Sequence, residues 1–248
     1  MKKDYVEDVS AFITSALSLA IGFGFEVPED AAKLFGSIAP VVQRMISRVL
    51  VVFQGKSFAK IESARLGVCY YSLVESIKKN EANGNPYNES FFSHELMYGK
   101  IDEVAESVLR AAMDDSQNVK AFHYGRLLGN ALYQSEYDES SIFLLLKIAK
   151  QLSYDELCLL AVLYDMPTRN YEKLVGAEDK RTELMINMLT LIRFGLVNRV
   201  PPYFVGATLD SLNISAFGKD LYRLMELKEL NPEDVGGMRR LIELYVMA

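Results

Sequence analysis

"LMINMLTLIRFGLV", residues 184–197, is the stretch whose reading decides the fold. Apolar residues recur through it at helical spacing, Gly195 supplies a helix stop, and Leu196 and Val197 open a short apolar strand. After a Pro- and Gly-containing excursion the chain returns at residues 209–225 as "LDSLNISAFGKDLYRLM", a second strand followed by a helix. Helix, strand, excursion, strand and helix is the order of a winged-helix module. Such a module binds protein or nucleic acid and carries no chemistry of its own.

The first helix of that order is the one that would face a ligand. A wheel at about 100° per residue puts Met185, Met188, Leu189, Ile192 and Leu196 on its buried stripe and Glu183, Asn187, Thr190 and Phe194 on the opposite side. Base edges are read by Arg, Lys, Asn or Gln, with basic residues nearby for phosphate. Of the outward set only Asn187 suits that task; Lys180, Arg181, Arg193 and Arg199 sit at the helix ends and flank. Residues 151–248 hold 11 Lys plus Arg against 14 Asp plus Glu, a formal charge of −3. Phosphate neutralisation dominates nucleic-acid affinity, so so acidic a module is expected to contact protein, with DNA binding through the four basic residues as the alternative.

The excursion itself, "NRVPPYFVGAT" at residues 198–208, carries Pro201 and Pro202, which cannot donate ladder hydrogen bonds and belong at an edge or tip. Tyr203 and Phe204 follow. They are either exposed aromatics for a partner or side chains that fold back on the helical part.

Upstream, the chain reads as helical throughout. Ile101, Val104, Ala105, Val108, Leu109 and Ala112 share one stripe of a 3.6-residue repeat, and Tyr124, Leu127, Leu128, Ala131 and Leu132 line another. Residues 57–79 read as a long helix that ends in the loop "NEANGNPYN", and residues 142–148 are apolar nearly all round. From Ser57 to Gln151 three or four helices are expected to pack antiparallel, within a helical domain over residues 1–152. Ser153 to Glu156 form a capping box that starts a new helix, which marks the boundary to a second domain over residues 153–248. Asn231, Pro232, Glu233 and Asp234 open a final helix, whose Met238, Leu241, Ile242, Tyr245 and Val246 form a stripe that would dock on its own subunit or on a neighbour.

The N-terminal region contains two apolar segments. One opens at Val9 and runs to Phe25 without a charge; the other runs from Leu34 to Phe53, with Pro40 expected to kink it and Arg44 and Arg48 interrupting it. The first falls short of the ~20 residues that cross hydrocarbon, and Asp4, Glu7 and Asp8 spoil a basic leader. Helices buried in the core or covered by a partner are expected, with membrane insertion through this region as the minority reading.

With 248 residues, half of them apolar, the chain can bury a substantial core, and its net charge of −6 suits a cytoplasmic protein. Cys69 and Cys158 lie in helical segments away from other metal-ligating residues and read as buried thiols. His94 and His123 stand far apart and in no ligand pattern, "GFGF" lacks the Lys-Ser or Lys-Thr of a phosphate loop, and Asp114-Asp115 reads as a solvated helix end. No catalytic residues, metal or cofactor are expected.

The run "FHYGRLLGNAL", then "IFLLLKIAKQLSYDELCLLAVLYD", "MLTLIRFGLV" and "LNISAFGKDLYRLM" resembles the core of the bacterial abortive-infection alpha family over about residues 120–228. Ser215 stands where that family usually has Thr. The resemblance implies a helical protein of phage defence and supplies no catalytic residues. The sequence therefore predicts an all-α protein, a multi-helix bundle followed by a winged-helix-like C-terminal module with a small β-hairpin: a non-enzymatic interaction or sensor protein that binds a protein partner or a second copy of itself. A DNA-binding regulator and a membrane-disrupting effector are the alternatives.

Overall fold

The computed structural model describes residues 2–28, 39–53, 57–88, 91, 100–165, 178–199 and 212–246. Among the described residues it is all-α apart from one two-stranded hairpin, and the chain divides into two compact units, Met1–Lys150 and Gln151–Ala248.

The first unit contains α1 (Lys2–Gly22), α2 (Pro40–Phe53), α3 (Lys60–Ala82), α4 (Lys100–Asp114), α5 (Lys120–Ala131) and α6 (Glu139–Gln151). Its centre is α3, which buries most of its circumference, from Ala64 and Leu66 through Leu73, Val74 and Ile77, and leaves one partly exposed stripe at Tyr71, Glu75, Lys78 and Ala82. A helix buried over most of its surface must be covered on several sides. α1, α4 and α5 supply that cover. From α1 come Ile13, Ala16, Leu17 and Ala20, all buried, so one face of the N-terminal apolar run is core, while Ile21 and Phe23 at its end are 40% and 49% exposed. Among the described residues no helix is long and apolar enough to cross a membrane.

Close approach makes the centre possible. Gly67 of α3 lies where a β-carbon would fall 2.5 Å from the Ala16 carbonyl oxygen of α1. On the other side Gly125 and Gly129, one turn apart on α5, face Ser72 and Ser76 of α3, and a β-carbon at Gly125 would overlap both the Ser72 hydroxyl and the Cys69 carbonyl. The backbones then come near enough for a polar seam. Ser72 donates to the Phe122 carbonyl at 2.6 Å, Ser76 to Asn130 Oδ1 at 2.8 Å, and Asn80 Nδ2 to the same oxygen at 3.0 Å. Ser72, Ser76 and Asn80 fall at i, i+4 and i+8, a single stripe that is buried yet hydrogen-bonded.

Two charged contacts fasten the periphery. Arg48 of α2 grips Asp102 of α4 with Nε and Nη2 at 3.1 and 3.0 Å from Oδ1, and the Asp102 side chain is wholly buried. At the turn between α4 and α5, Lys120 Nζ lies 2.6 Å from Asp115 Oδ2, and Tyr124 donates to the same oxygen at 2.6 Å. Asp115 is thus no solvated helix end, contrary to the sequence expectation; its partner lies on the next helix, where periodicity within α4 is silent. Pro40 also behaves differently from the expected kink. It is the first residue of α2, where its fixed φ suits the helix and its missing N–H is not needed.

The second unit is organised around α7 (Tyr154–Asp165). Its start is the capping box read from the sequence: the Glu156 amide donates to Ser153 Oγ at 3.2 Å, and the Ser153 amide to Glu156 Oε2 at 2.7 Å. Residues from Leu157 to Leu163 are all buried. Against α7 pack α8 (Glu178–Arg193), β2 (Leu212–Ile214), α9 (Ala216–Leu224), a 3-10 turn (Leu227–Glu229) and α10 (Pro232–Val246). Tyr164 and Tyr222 stack at 3.7 Å between α7 and α9, and Tyr154 donates to Asp234 of α10 at 3.0 Å. α10 starts as expected, with the Glu233 amide on Asn231 Oδ1 at 2.9 Å, and docks on its own unit through buried Ile242. Met238 and Leu241 are half-buried, and the side chains of Tyr245 and Val246 lie outside the described residues.

Opposite signs are expected from two glycine substitutions. Gly125→Ala should destabilise by about 2–3 kcal/mol, because its β-carbon meets backbone. Gly237→Ala, inside α10 with nothing within 4 Å, should stabilise by up to ~1 kcal/mol. Urea unfolding midpoints measure both.

The Asp115 cluster gives a pH signature. Burial alone would raise the Asp115 carboxyl, but hydrogen bonds from Lys120, Tyr124 and the Gln117 amide outweigh it and leave it below the ordinary value. A lowered folded value means that its stabilisation is complete above the unfolded-chain value, ~3.9, and is lost as pH falls through the folded one. Asp115→Asn removes the carboxylate that neutralises the buried Lys120 and should cost about 3–5 kcal/mol near neutrality. The gap in melting temperature between wild type and variant should narrow as pH falls below the unfolded-chain value of ~3.9.

Candidate protein-interaction surface

The two quoted stretches meet at one joint. α8 ends in a left-handed turn at Gly195, φ +70°, where the Leu196 amide reaches back to the Leu191 carbonyl at 3.0 Å. Only a residue without a β-carbon takes that turn freely. β1 (Val197–Arg199) then pairs antiparallel with β2 in the register Val197 to Ile214, Asn198 to Asn213 and Arg199 to Leu212. Ser215 closes the joint: its hydroxyl donates to the Gly195 carbonyl at 2.6 Å and accepts from the Gly218 amide at 2.9 Å, which caps α9. Gly218 is required because a β-carbon there would overlap the Leu196 carbonyl. α8 is therefore fixed at its C-terminal end by the hairpin and along its length by α7.

That anchoring sets which face of α8 looks out, and it is not the face expected from the sequence. Leu184, Met188 and Leu191 are the buried stripe, followed by Leu196. Met185 and Leu189, expected inside, are 37% and 57% exposed, and Ile186 is 56% exposed. Ile192 is half-buried. The helix is turned by roughly a quarter of a revolution from the expected orientation, at about 100° per residue. The cause is that seven of the nine residues 184–192 are apolar, so more than one stripe satisfies the period. Contact with α7 selects one.

The outward line is Thr182, Ile186, Leu189 and Arg193, at i, i+4, i+7 and i+11, with Met185 and Glu183 flanking it. Of the sequence candidates, Glu183 is exposed, while Asn187, Thr190 and Phe194 lie half-buried at the side. The Thr190 hydroxyl is turned onto its own helix, donating to the Ile186 carbonyl at 3.0 Å. Arg193 is exposed at the end of the line. The side chains of Lys180, Arg181 and Arg199 lie outside the described residues, as do Tyr203 and Phe204 altogether. Ile186 and Leu189 were missed by the sequence reading as surface residues. Their one sequence signal was the excess of apolar residues over what a single buried stripe needs.

The physical weight of this face is apolar. Three of the seven large apolar side chains that are exposed among the described residues fall within five consecutive positions of α8. Clustering of that kind marks contact surfaces, whereas single exposed apolar residues are ordinary.

Both cysteines and His123 lie elsewhere and are enclosed. Cys69 and Cys158 are both free and buried, and burial pushes the Cys158 thiol up to about 12, far from a reactive thiolate. His123 is buried with its ring edge-on to Phe122 at 5.5 Å, and His94 lies outside the described residues. Among the described residues no group of three or more His, Cys, Asp or Glu is placed to hold a metal ion.

Truncation should separate the two faces of α8. Leu191→Ala removes a wholly buried side chain and should cost about 2–4 kcal/mol. Leu189→Ala, two positions away, should change stability by no more than about 0.5 kcal/mol. Thermal or urea unfolding of the two variants distinguishes this orientation from the reverse one.

No family model matches the chain, and neither does any curated protein or any solved structure.

Proposed function

We propose that this chain is a non-enzymatic interaction or sensor protein, and that its second unit is a winged-helix-type docking module that meets a protein through the outward face of α8. One observation carries this reading: the helix that follows the order of a recognition helix presents Ile186, Leu189 and Met185 to solvent. An apolar centre gains from being covered by another apolar surface, at about 25 cal/mol per Å² removed from water. It gains nothing from a phosphate backbone. The motif resemblance to the abortive-infection alpha family supplies the biological setting, bacterial phage defence.

The DNA-binding alternative draws on the order of helix, hairpin and helix and on the exposed Arg193. Against it stand the apolar middle of the outward line and the formal charge of −3 over residues 151–248. A membrane effector would first have to withdraw Ile13, Ala16, Leu17 and Ala20 from the core of the first unit.

Cells carrying the gene, challenged with a panel of phages, are expected to be protected against at least one, and Ile186→Asp combined with Leu189→Asp is expected to abolish that protection. Leu144→Asp, at an exposed position of α6, is the control that should retain it. The purified protein should leave genomic DNA fragments unshifted in a low-salt gel. Protection that survives the double substitution, or a clear low-salt shift, would overturn the reading.

A further inference from the structure

The outward line of α8 has a property that a surface made for an unrelated partner does not need: it complements itself when reversed. Thr182, Ile186, Leu189 and Arg193 are spaced symmetrically about a point between residues 187 and 188. If a second α8 is laid antiparallel across the first about a two-fold axis through that point, Ile186 falls opposite the partner's Leu189, and Leu189 opposite the partner's Ile186. The two most exposed apolar side chains of the helix cover each other, twice.

The ends match as well. In the same register Arg193 falls beside the partner's Thr182 and Glu183, and the symmetry repeats this at the other end. Glu183 and Arg193 are both exposed, so an opposite-charge pair closes each rim of the apolar centre. A parallel arrangement would instead set Arg193 against Arg193 and Glu183 against Glu183. Two-fold pairing through one self-complementary patch is the commonest way in which soluble chains associate.

Resting on the reading of α8 as a protein-docking face, we propose that its occupant is a second copy of this chain, held antiparallel across α8 by the Ile186 to Leu189 contacts and by two Glu183 to Arg193 pairs. A single helix face is small beside the ~800 Å² that a standard interface buries per partner, and each copy carries a net charge of −6. The dimer is therefore a reversible one, with a Kd on the order of tens of micromolar.

Sedimentation of the full chain from about one to several hundred micromolar tests this; the weight-average mass should climb from one chain toward two over that range. Leu189→Asp should hold the mass at one chain at every concentration, with an unchanged unfolding midpoint showing that the fold is intact. Glu183→Arg and Arg193→Glu should each weaken association, and the two together in one chain should restore it. Register is read by oxidative cross-linking. Ile186→Cys mixed with Leu189→Cys should give a covalent dimer that neither variant gives efficiently alone, and buried Cys69 and Cys158 should stay silent.

A wild-type mass that remains that of one chain at the highest concentration overturns the proposal, as does self-association that Leu189→Asp leaves untouched. A mixture that gives no more covalent dimer than either variant alone would rule out the antiparallel register, with the same result. These failures are separable from failure of the docking reading. A monomer whose phage protection is lost on Leu189→Asp would keep α8 as a docking face with a different occupant.

Discussion

The absence of a β-carbon at Gly125 and Gly129 is the constraint on which the first unit depends. It allows α5 to lie against α3 closely enough for side chains of serine length to bridge the backbones. Once the two helices touch, Ser72, Ser76 and Asn80 must be buried, and they are tolerable there only because Asn130 and the Phe122 carbonyl accept from them. Dispersion forces act along the whole crossing, while the polar seam fixes its register: sliding α5 by one turn would leave Asn130 without its two donors. α1 and α4 cover much of what this pair leaves open.

Features fixed by chemistry within a few residues were legible in the sequence. The capping box of Ser153 and Glu156, the helix start at Asn231 and Pro232, and the stop at Gly195 each satisfy orphan backbone groups using neighbours close in the chain. The stripes of α4 and α5 were legible too, because polar residues bound them on both sides. Features that depend on a partner far along the chain were not. Pro40, expected to kink a longer helix, is the first residue of α2 instead, and Asp115 acquires its role only when Lys120 and Tyr124 come round on the next helix.

α8 is the instructive case, since its helix was legible and its orientation was not. Hydrophobic periodicity reports a phase only when apolar residues are scarce enough to define one. Here Met185, Ile186 and Leu189 compete with Leu184, Met188 and Leu191, and the decision is made by α7 and by the Ser215 joint. The surplus that blurred the signal is the same surplus that remains on the surface. Ambiguity in the pattern and an apolar outward face thus have one origin.

The central position of α7 has a consequence for synthesis. Every element that packs on it within the second unit, from α8 to α10, follows it in the chain. A helix whose residues from Leu157 to Leu163 end up fully enclosed leaves the ribosome with none of that enclosure yet made. At 5–20 residues per second, translating the roughly 80 residues that follow takes roughly 4–16 s. For that interval the apolar side chains of α7 lack the elements of their own unit that will cover them, the kind of transient exposure that chaperones shield.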